Sequence, residues 1–153
     1  MMNQQYKLKY SARGVKRKMN ECIFCKIIKG EIPSNKVYED EKVLAFLDIG
    51  PVNKGHTLVI PKKHAMNIFD IEQEDLNAVS EIVRKIAPAV KKAVNADGLN
   101  IMSSNGKAAG QLVMHSHIHI IPRFKDDGLK HWPQGTYKEG EIEQVKEKII
   151  NSL

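Results

Sequence analysis

Apolar positions along the chain follow two different periods. Leu76, Val79, Ile82, Val83, Ile86, Val90 and Val94 recur at the three-and-four spacing of one helix face, which predicts a long amphipathic helix over residues 72–95. Pro88 lies inside it and removes one backbone donor, so a kink is expected there rather than a break. Shorter apolar runs bounded by turn residues read as strands over 37–39, 43–47, 57–60 and 99–103, with the longest over 112–121. Pro61 and Pro122 are expected to stop the third and the last of these. Residues 22–29 read as a short helix ended by Gly30, and 31–35 as a turn. Ile142, Val145, Ile149 and Ile150 stand at helical spacing among charges, which predicts a C-terminal amphipathic helix. Taken in order, the elements predict an α+β domain: an antiparallel meander interrupted by one long helix.

Composition narrows the class. The chain has 153 residues with 42% hydrophobic and 27% charged positions, enough for one globular domain with a core and too few for two. Its formal charge of +6 suggests a nucleic-acid partner only until its position is considered. Lys7, Lys9, Arg13, Lys16, Arg17 and Lys18 stand in residues 1–20 without one acidic residue, and the remainder is neutral, with 18 basic and 18 acidic side chains. Residues 1–20 are therefore expected to be a disordered basic extension and 21–153 the folded domain, with no nucleic-acid partner. An import peptide is the lesser reading of the extension, since Lys outnumbers Arg and Ser11 is its one serine. Met19, directly after the basic run, is a candidate natural start. No run approaches the roughly 18 apolar residues of a membrane span, and no apolar signal segment opens the chain, so a cytoplasmic protein without a membrane partner is expected.

Candidate chemistry sits in two motifs. Cys22-Ile23-Phe24-Cys25 holds both cysteines, and in a cytosolic chain this points to redox chemistry or a metal rather than a structural disulfide. His115-Ser116-His117-Ile118-His119 alternates three imidazoles on the strongest predicted strand, where a period of two projects all three from one face. Such a row could hold a metal ion, or it could supply an imidazole that attacks phosphorus while its neighbours manage charge. The preceding loop, Asn105 to Gln111, favours the second, because its small residues let backbone N–H groups approach an anionic oxygen.

Gly110-Gln111 followed by His115-Ser116-His117-Ile118-His119-Ile120-Ile121-Pro122-Arg123 resembles the signature of the histidine triad (HIT) superfamily of nucleotide hydrolases and transferases. Cys22 to Ile28, Val43 to Asp48, and Gly55 to His64 resemble that family's other blocks in the same order. Trp132-Pro133 is similar to the Hint branch rather than the Fhit-like dinucleotide hydrolases. The resemblance spans about residues 21–135 and implies the HIT fold.

It also implies roles. His117 would be the nucleophile, oriented by the carbonyl of His115, and His119 would contact phosphoryl oxygens and protonate the leaving group. His56 is expected as a buried hydrogen-bonding partner beside them. Backbone N–H groups of Gly110 and Gln111, with the Asn105 side chain, would meet the phosphoryl charge. Asp48 would bind the ribose hydroxyls, Ile23, Phe24, Ile27 and Phe46 would form a purine pocket, and Trp132 would lie near its mouth. For the four apolar residues, plain core packing is the competing reading. Cys22, Cys25, His64 and His115 would hold a structural zinc ion, and no organic cofactor is implied. One departure stands out, for Leu112 occupies a position where Hint proteins commonly carry serine. The implied activity is hydrolysis of purine nucleoside 5′-phosphoramidates or similar conjugates by a homodimer. The alternatives are dinucleoside polyphosphate hydrolysis, or a regulatory nucleotide binder without turnover.

Overall fold

The computed structural model describes residues 21–153; the expected extension at 1–20 lies outside them. Five strands form one sheet: β1 (Lys36–Glu39), β2 (Val43–Leu47), β3 (Thr57–Pro61), β4 (Gly98–Met102) and β5 (Ile118–Arg123). Three helices accompany it, α1 (Ile23–Ile28), α2 (Gln73–Ala93) and α3 (Glu141–Ile150). The strand order is β1-β2-β3-β5-β4 and every pairing is antiparallel. The meander therefore holds only through β3. After α2 the chain takes β4 to the outer edge and returns with β5 between β3 and β4.

Both faces of the central strands are covered, which explains why β2 and β3 are continuous apolar runs rather than alternating ones. Val43, Ala45, Val59 and Ile120 turn to one face and pack against Val79, Ile82 and Val83 of α2. Leu44, Phe46, Leu58 and Ile60 turn to the other face, where Phe24 and Ile27 of α1 cover them. Each of these buried side chains other than Ala45 contributes roughly 1.5–3 kcal/mol. The alternation continues into β5, since Ile118 and Ile120 belong with the α2 face while His119 stands opposite Leu58, on the α1 side. A helix of six residues has little stability of its own, so burial of Phe24, Cys25 and Ile27 is what fixes α1 there.

Several expectations are corrected. The last strand begins at Ile118, not Leu112, because residues 112–117 leave the ladder: Ser116 N–H donates to the Ala65 carbonyl at 2.6 Å, and the His115 carbonyl accepts from a side chain. Pro61 is the last residue of β3, so the stop expected there holds, whereas β5 runs one residue past Pro122. Pro61 pairs with Val43 alone and Pro122 with Leu99 alone, so each has an unpaired side toward which a missing N–H costs nothing. Helix α2 runs on through Pro88, and Arg84, whose carbonyl loses that donor, faces solvent. Helix α3 forms as expected yet buries no residue, leaving Ile142, Ile149 and Ile150 exposed.

Candidate active site and metal centre

The turn that delivers His56 to the sheet requires a glycine. Gly55 has φ +87°, and a Cβ there would meet Val94 Cγ1 at 3.0 Å and the Pro122 ring at 3.2 Å. His56 follows at 4% exposure, beside the triad. Its Nδ1 accepts from the Val52 N–H at 3.2 Å, so the ring proton sits on Nε2. That Nε2–H donates to His119 Nδ1 at 2.9 Å, which places the proton of a neutral His119 on its own Nε2. His117 has the opposite tautomer, because its Nδ1–H donates to the His115 carbonyl at 2.6 Å and its Nε2 keeps the lone pair. The two rings stand 4.8 Å apart between centroids. One imidazole thus offers a nucleophilic nitrogen and its neighbour an N–H.

Burial favours the neutral rings. Desolvation lowers the pKa of His117 despite the hydrogen bond to His115, and lowers that of His56. His119 is brought down to about 4 by burial, then by the proximity of His117 and His56. For such a group the unfolded chain binds more protons than the fold between its ordinary value, about 6.5, and about 4. Stability is therefore expected to be complete above pH 6.5 and to fall as pH drops through that window. Thermal melts at pH 7 and pH 4.5 check it: His119→Gln should show a smaller fall than the parent, and equal falls would contradict the assignment.

Around these rings the expected substrate residues are unequally placed. Asp48 is held by its turn, its Oδ1 accepting from Gly50 N–H at 2.8 Å, while Oδ2 lies 3.7 Å from His56 Nδ1. Phe24 sets its ring edge-on to His117, at 5.4 Å, and to Phe46, at 5.6 Å. Phe24, Ile27 and Phe46 are buried in the core, and Ile23 is 45% exposed. Trp132 is 78% exposed on a stretch without regular structure. His131 lines a different groove, beside Arg123 and Asp127.

The loop before the triad differs from expectation in which donors it frees. Gly110 N–H donates to Lys107 and Gln111 N–H to Gly106, inside a 3₁₀ turn over Lys107–Ala109. Asn105 is also engaged, accepting from Ile68 N–H at 2.8 Å. Among the described residues, the N–H groups of Leu112, Val113 and Met114 have no protein acceptor. Gln111, 2% exposed, acts as a strut, with Nε2 donating to the carbonyls of Met66 and Val113 and Oε1 accepting from Gly106 N–H.

A second cluster joins α1 to the triad. Side-chain ligand atoms of Cys22, Cys25, His64 and His115 all lie within 4.8 Å of one another. His115 Nε2–H donates to the Pro61 carbonyl at 2.8 Å, so its Nδ1 carries a lone pair. That Nδ1 faces Cys22 Sγ at 3.5 Å, Cys25 Sγ at 3.6 Å and His64 Nδ1 at 3.2 Å. Burial would raise the Cys22 thiol, but when the His115 ring carries a second proton its Nδ1–H and the His64 ring hydrogen-bond the thiolate and bring the pKa to about 5. Burial and then the Cys22 charge push Cys25 up to about 12. Two sulfurs and two imidazoles at the edge lengths of a small tetrahedron fit a divalent ion such as zinc.

Comparison with known proteins decides the family. The HIT domain model matches residues 29–126. This chain belongs to the HIT family. The HIT protein called "Protein hit" of Bacillus subtilis is 48% identical over 136 residues, covering 86% of this chain and 94% of its own. A crystal structure of a HIT family member from that organism superposes with TM-score 0.80 at 47% identity, over 86% of this chain and 96% of its own. Adenosine 5′-monophosphoramidase hnt1 of Schizosaccharomyces pombe is 40% identical over 134 residues, covering 86% of this chain and 98% of its own. A zinc-bound histidine triad protein from Mycobacterium smegmatis has TM-score 0.70 and 35% identity, over 88% of this chain and 99% of its own. The five-stranded antiparallel sheet with its helices is the fold of these HIT neighbours.

Sequence reading missed two backbone groups that orient the imidazoles of this HIT site, Val52 N–H and the Pro61 carbonyl, and also the open N–H of Leu112. Main-chain partners leave no side-chain signature, although the X-Gly-His turn and the Ile-Pro pair mark where two of them lie.

Proposed function

We propose that this protein hydrolyses purine nucleoside 5′-phosphoramidates or similar nucleotidyl conjugates through a covalent nucleotidyl-His117 intermediate, releasing the nucleoside monophosphate. The opposed tautomers of His117 and His119 carry the reading. His117 Nε2 attacks the α-phosphorus and the P–N bond of the substrate breaks. The bound phosphoryl anion favours one extra proton on the hydrogen-bonded His56–His119 pair, so that His119 can give its Nε2–H proton to the leaving nitrogen while its Nδ1 keeps the proton shared with His56; in the second step His119 Nε2 takes a proton from the water that attacks phosphorus. Leu112 N–H, one of three in this loop unsatisfied by protein and the first after Gly110-Gln111, would meet phosphoryl charge, with Gly110 and Gln111 shaping the loop that presents it. Asp48 Oδ2 accepts from the ribose hydroxyls, and Ile23 with the edges of Phe24, Ile27 and Phe46 takes the purine, near Trp132. The S. pombe relative's name supports the same reaction class.

Zinc is the proposed metal; Cys22, Cys25, His64 and His115 would hold it, and it would supply structural cross-linking rather than chemistry. A cytoplasmic, reducing setting would keep both thiols available. The proposed homodimer joins two β4 edges, since β4 closes one side of the sheet unpaired and its Ile101 is 48% exposed.

The test is release of AMP from adenosine 5′-phosphoramidate, compared with a diadenosine polyphosphate. Faster turnover of the phosphoramidate supports the reading; no AMP release refutes it, and faster dinucleotide cleavage refutes its substrate class. His119→Ala is expected to lower kcat for the amine leaving group by roughly 10²–10³-fold, and less for a sulfate or phosphate leaving group, which needs no proton. Equal losses for both would contradict the role of His119.

A further inference from the structure

The two cysteines are unequally exposed. Cys25 is 4% exposed, whereas Cys22 is half-buried and stands with His64 on the wall of a surface cleft of about 360 Å³. Met66, Leu112, Val113 and Met114 supply much of the remaining wall, which admits an uncharged molecule more readily than an ion. Cys25 is not part of that wall. A small molecule entering the cleft therefore meets one sulfur, with the second within 4.8 Å of it. Cys22 is the N-cap of α1, with extended backbone at ψ 119°, and Cys25 lies in the first turn. Joining the two sulfurs needs side-chain rotation within one turn of chain and no rearrangement of the sheet.

We propose that Cys22 is an oxidation site for hydroperoxides, with Cys25 as its resolving thiol, and that the disulfide they form opens the metal centre. In the first step Cys22 Sγ bonds to one peroxide oxygen, the O–O bond breaks and hydroxide leaves, giving a sulfenic acid. In the second, Cys25 Sγ attacks Cys22 Sγ; the S–S bond forms, the S–O bond breaks and a second hydroxide leaves. Two electrons pass from the sulfurs to the peroxide, and protons from solvent turn both hydroxides into water. Anionic sulfur holds a divalent ion and a disulfide has none, so His64 and His115 are left as the only ligands and the ion departs. His115 Nδ1 then loses the sulfur partners that face it at 3.5 and 3.6 Å, in the residue whose carbonyl orients His117. That last link rests on the phosphoramidase reading, and the metal loss on the zinc assignment; the oxidation site rests on neither.

The experiment treats zinc-loaded protein with hydrogen peroxide and follows zinc with a chromogenic chelator, free thiols, intact mass and AMP release. One zinc ion should appear per chain as both thiols vanish and the chain loses the mass of two hydrogen atoms. With dimedone present, the sulfenic acid should be trapped on Cys22 roughly tenfold more than on Cys25. Dithiothreitol with added zinc should restore thiols, metal and AMP release together. Thiols that survive a dose oxidising free cysteine completely, a dimedone adduct chiefly on Cys25, or oxygen gained only at Met66 or Met114 would overturn the oxidation site. Zinc retained after the disulfide has formed would overturn the opening of the metal centre, and a chain isolated without zinc would overturn it together with the zinc assignment. AMP release unchanged after full zinc loss would overturn the link to His117. No AMP release before oxidation, with thiols and zinc lost as expected, would overturn the phosphoramidase reading and leave the oxidation site standing.

Discussion

Replacing His117 by alanine is expected to reduce AMP release from adenosine 5′-phosphoramidate by about 10⁴-fold or more. The lone pair on His117 Nε2 exists because Nδ1–H is held 2.6 Å from the His115 carbonyl, and no other ring of the cluster has that arrangement. His119 cannot substitute, since its Nδ1 is taken by His56 and its Nε2 bears the proton. The ring is 6% exposed, so alanine also leaves a cavity beside Phe24. His117→Gln keeps more of that volume and should be as inactive while melting within a few degrees of the parent. Steady-state AMP release and thermal melts on both variants check this. Residual activity within tenfold of the parent would remove His117 from the chemistry.

The second large effect concerns the metal. Protein purified without chelators is expected to hold one zinc ion per chain, and Cys25→Ser to lose it. Loss should cost on the order of 4 kcal/mol, a fall in melting temperature of roughly 10 °C, because a bound ion would tie α1 and the His64 loop to the triad segment. Turnover should fall with it. His115 joins the two sites: its Nδ1 faces the thiols, its Nε2–H is on Pro61, and its carbonyl orients His117. Metal analysis, melting curves and AMP release on parent and variant measure all three. A parent free of metal, or a Cys25→Ser protein that melts with the parent, would contradict the account.

How much of this was legible in the sequence varies by residue. Helix α2 and strands β2 and β3 were readable because burial imposes a period on them, 3.6 for one stripe and none for strands covered on both faces. Residues 112–117 look like strand by the same measure, yet His115 is drawn to the cysteines and its carbonyl to His117, and those tertiary demands outweigh the apolar run. The placement of β5 between β3 and β4 is also invisible, since pairing partners depend on long-range packing. Within the site, Cys22, Cys25, His64 and His115 could be named from resemblance because they are side chains. The proposed phosphoryl donor could not, because which N–H a 3₁₀ turn consumes is decided by backbone geometry: it consumes those of Gly110 and Gln111 and leaves that of Leu112 without an acceptor.

If His117 carries the nucleotide in transit, intact-mass analysis of acid-free, rapidly quenched reactions should catch it there. Protein mixed with excess adenosine 5′-phosphoramidate is expected to gain the mass of one adenylyl group within the first turnover. Peptide mapping should place that group on His117, and it should be absent in His117→Gln. AMP formed at full rate with no adduct at any time, or an adduct that persists in His117→Gln, would contradict it.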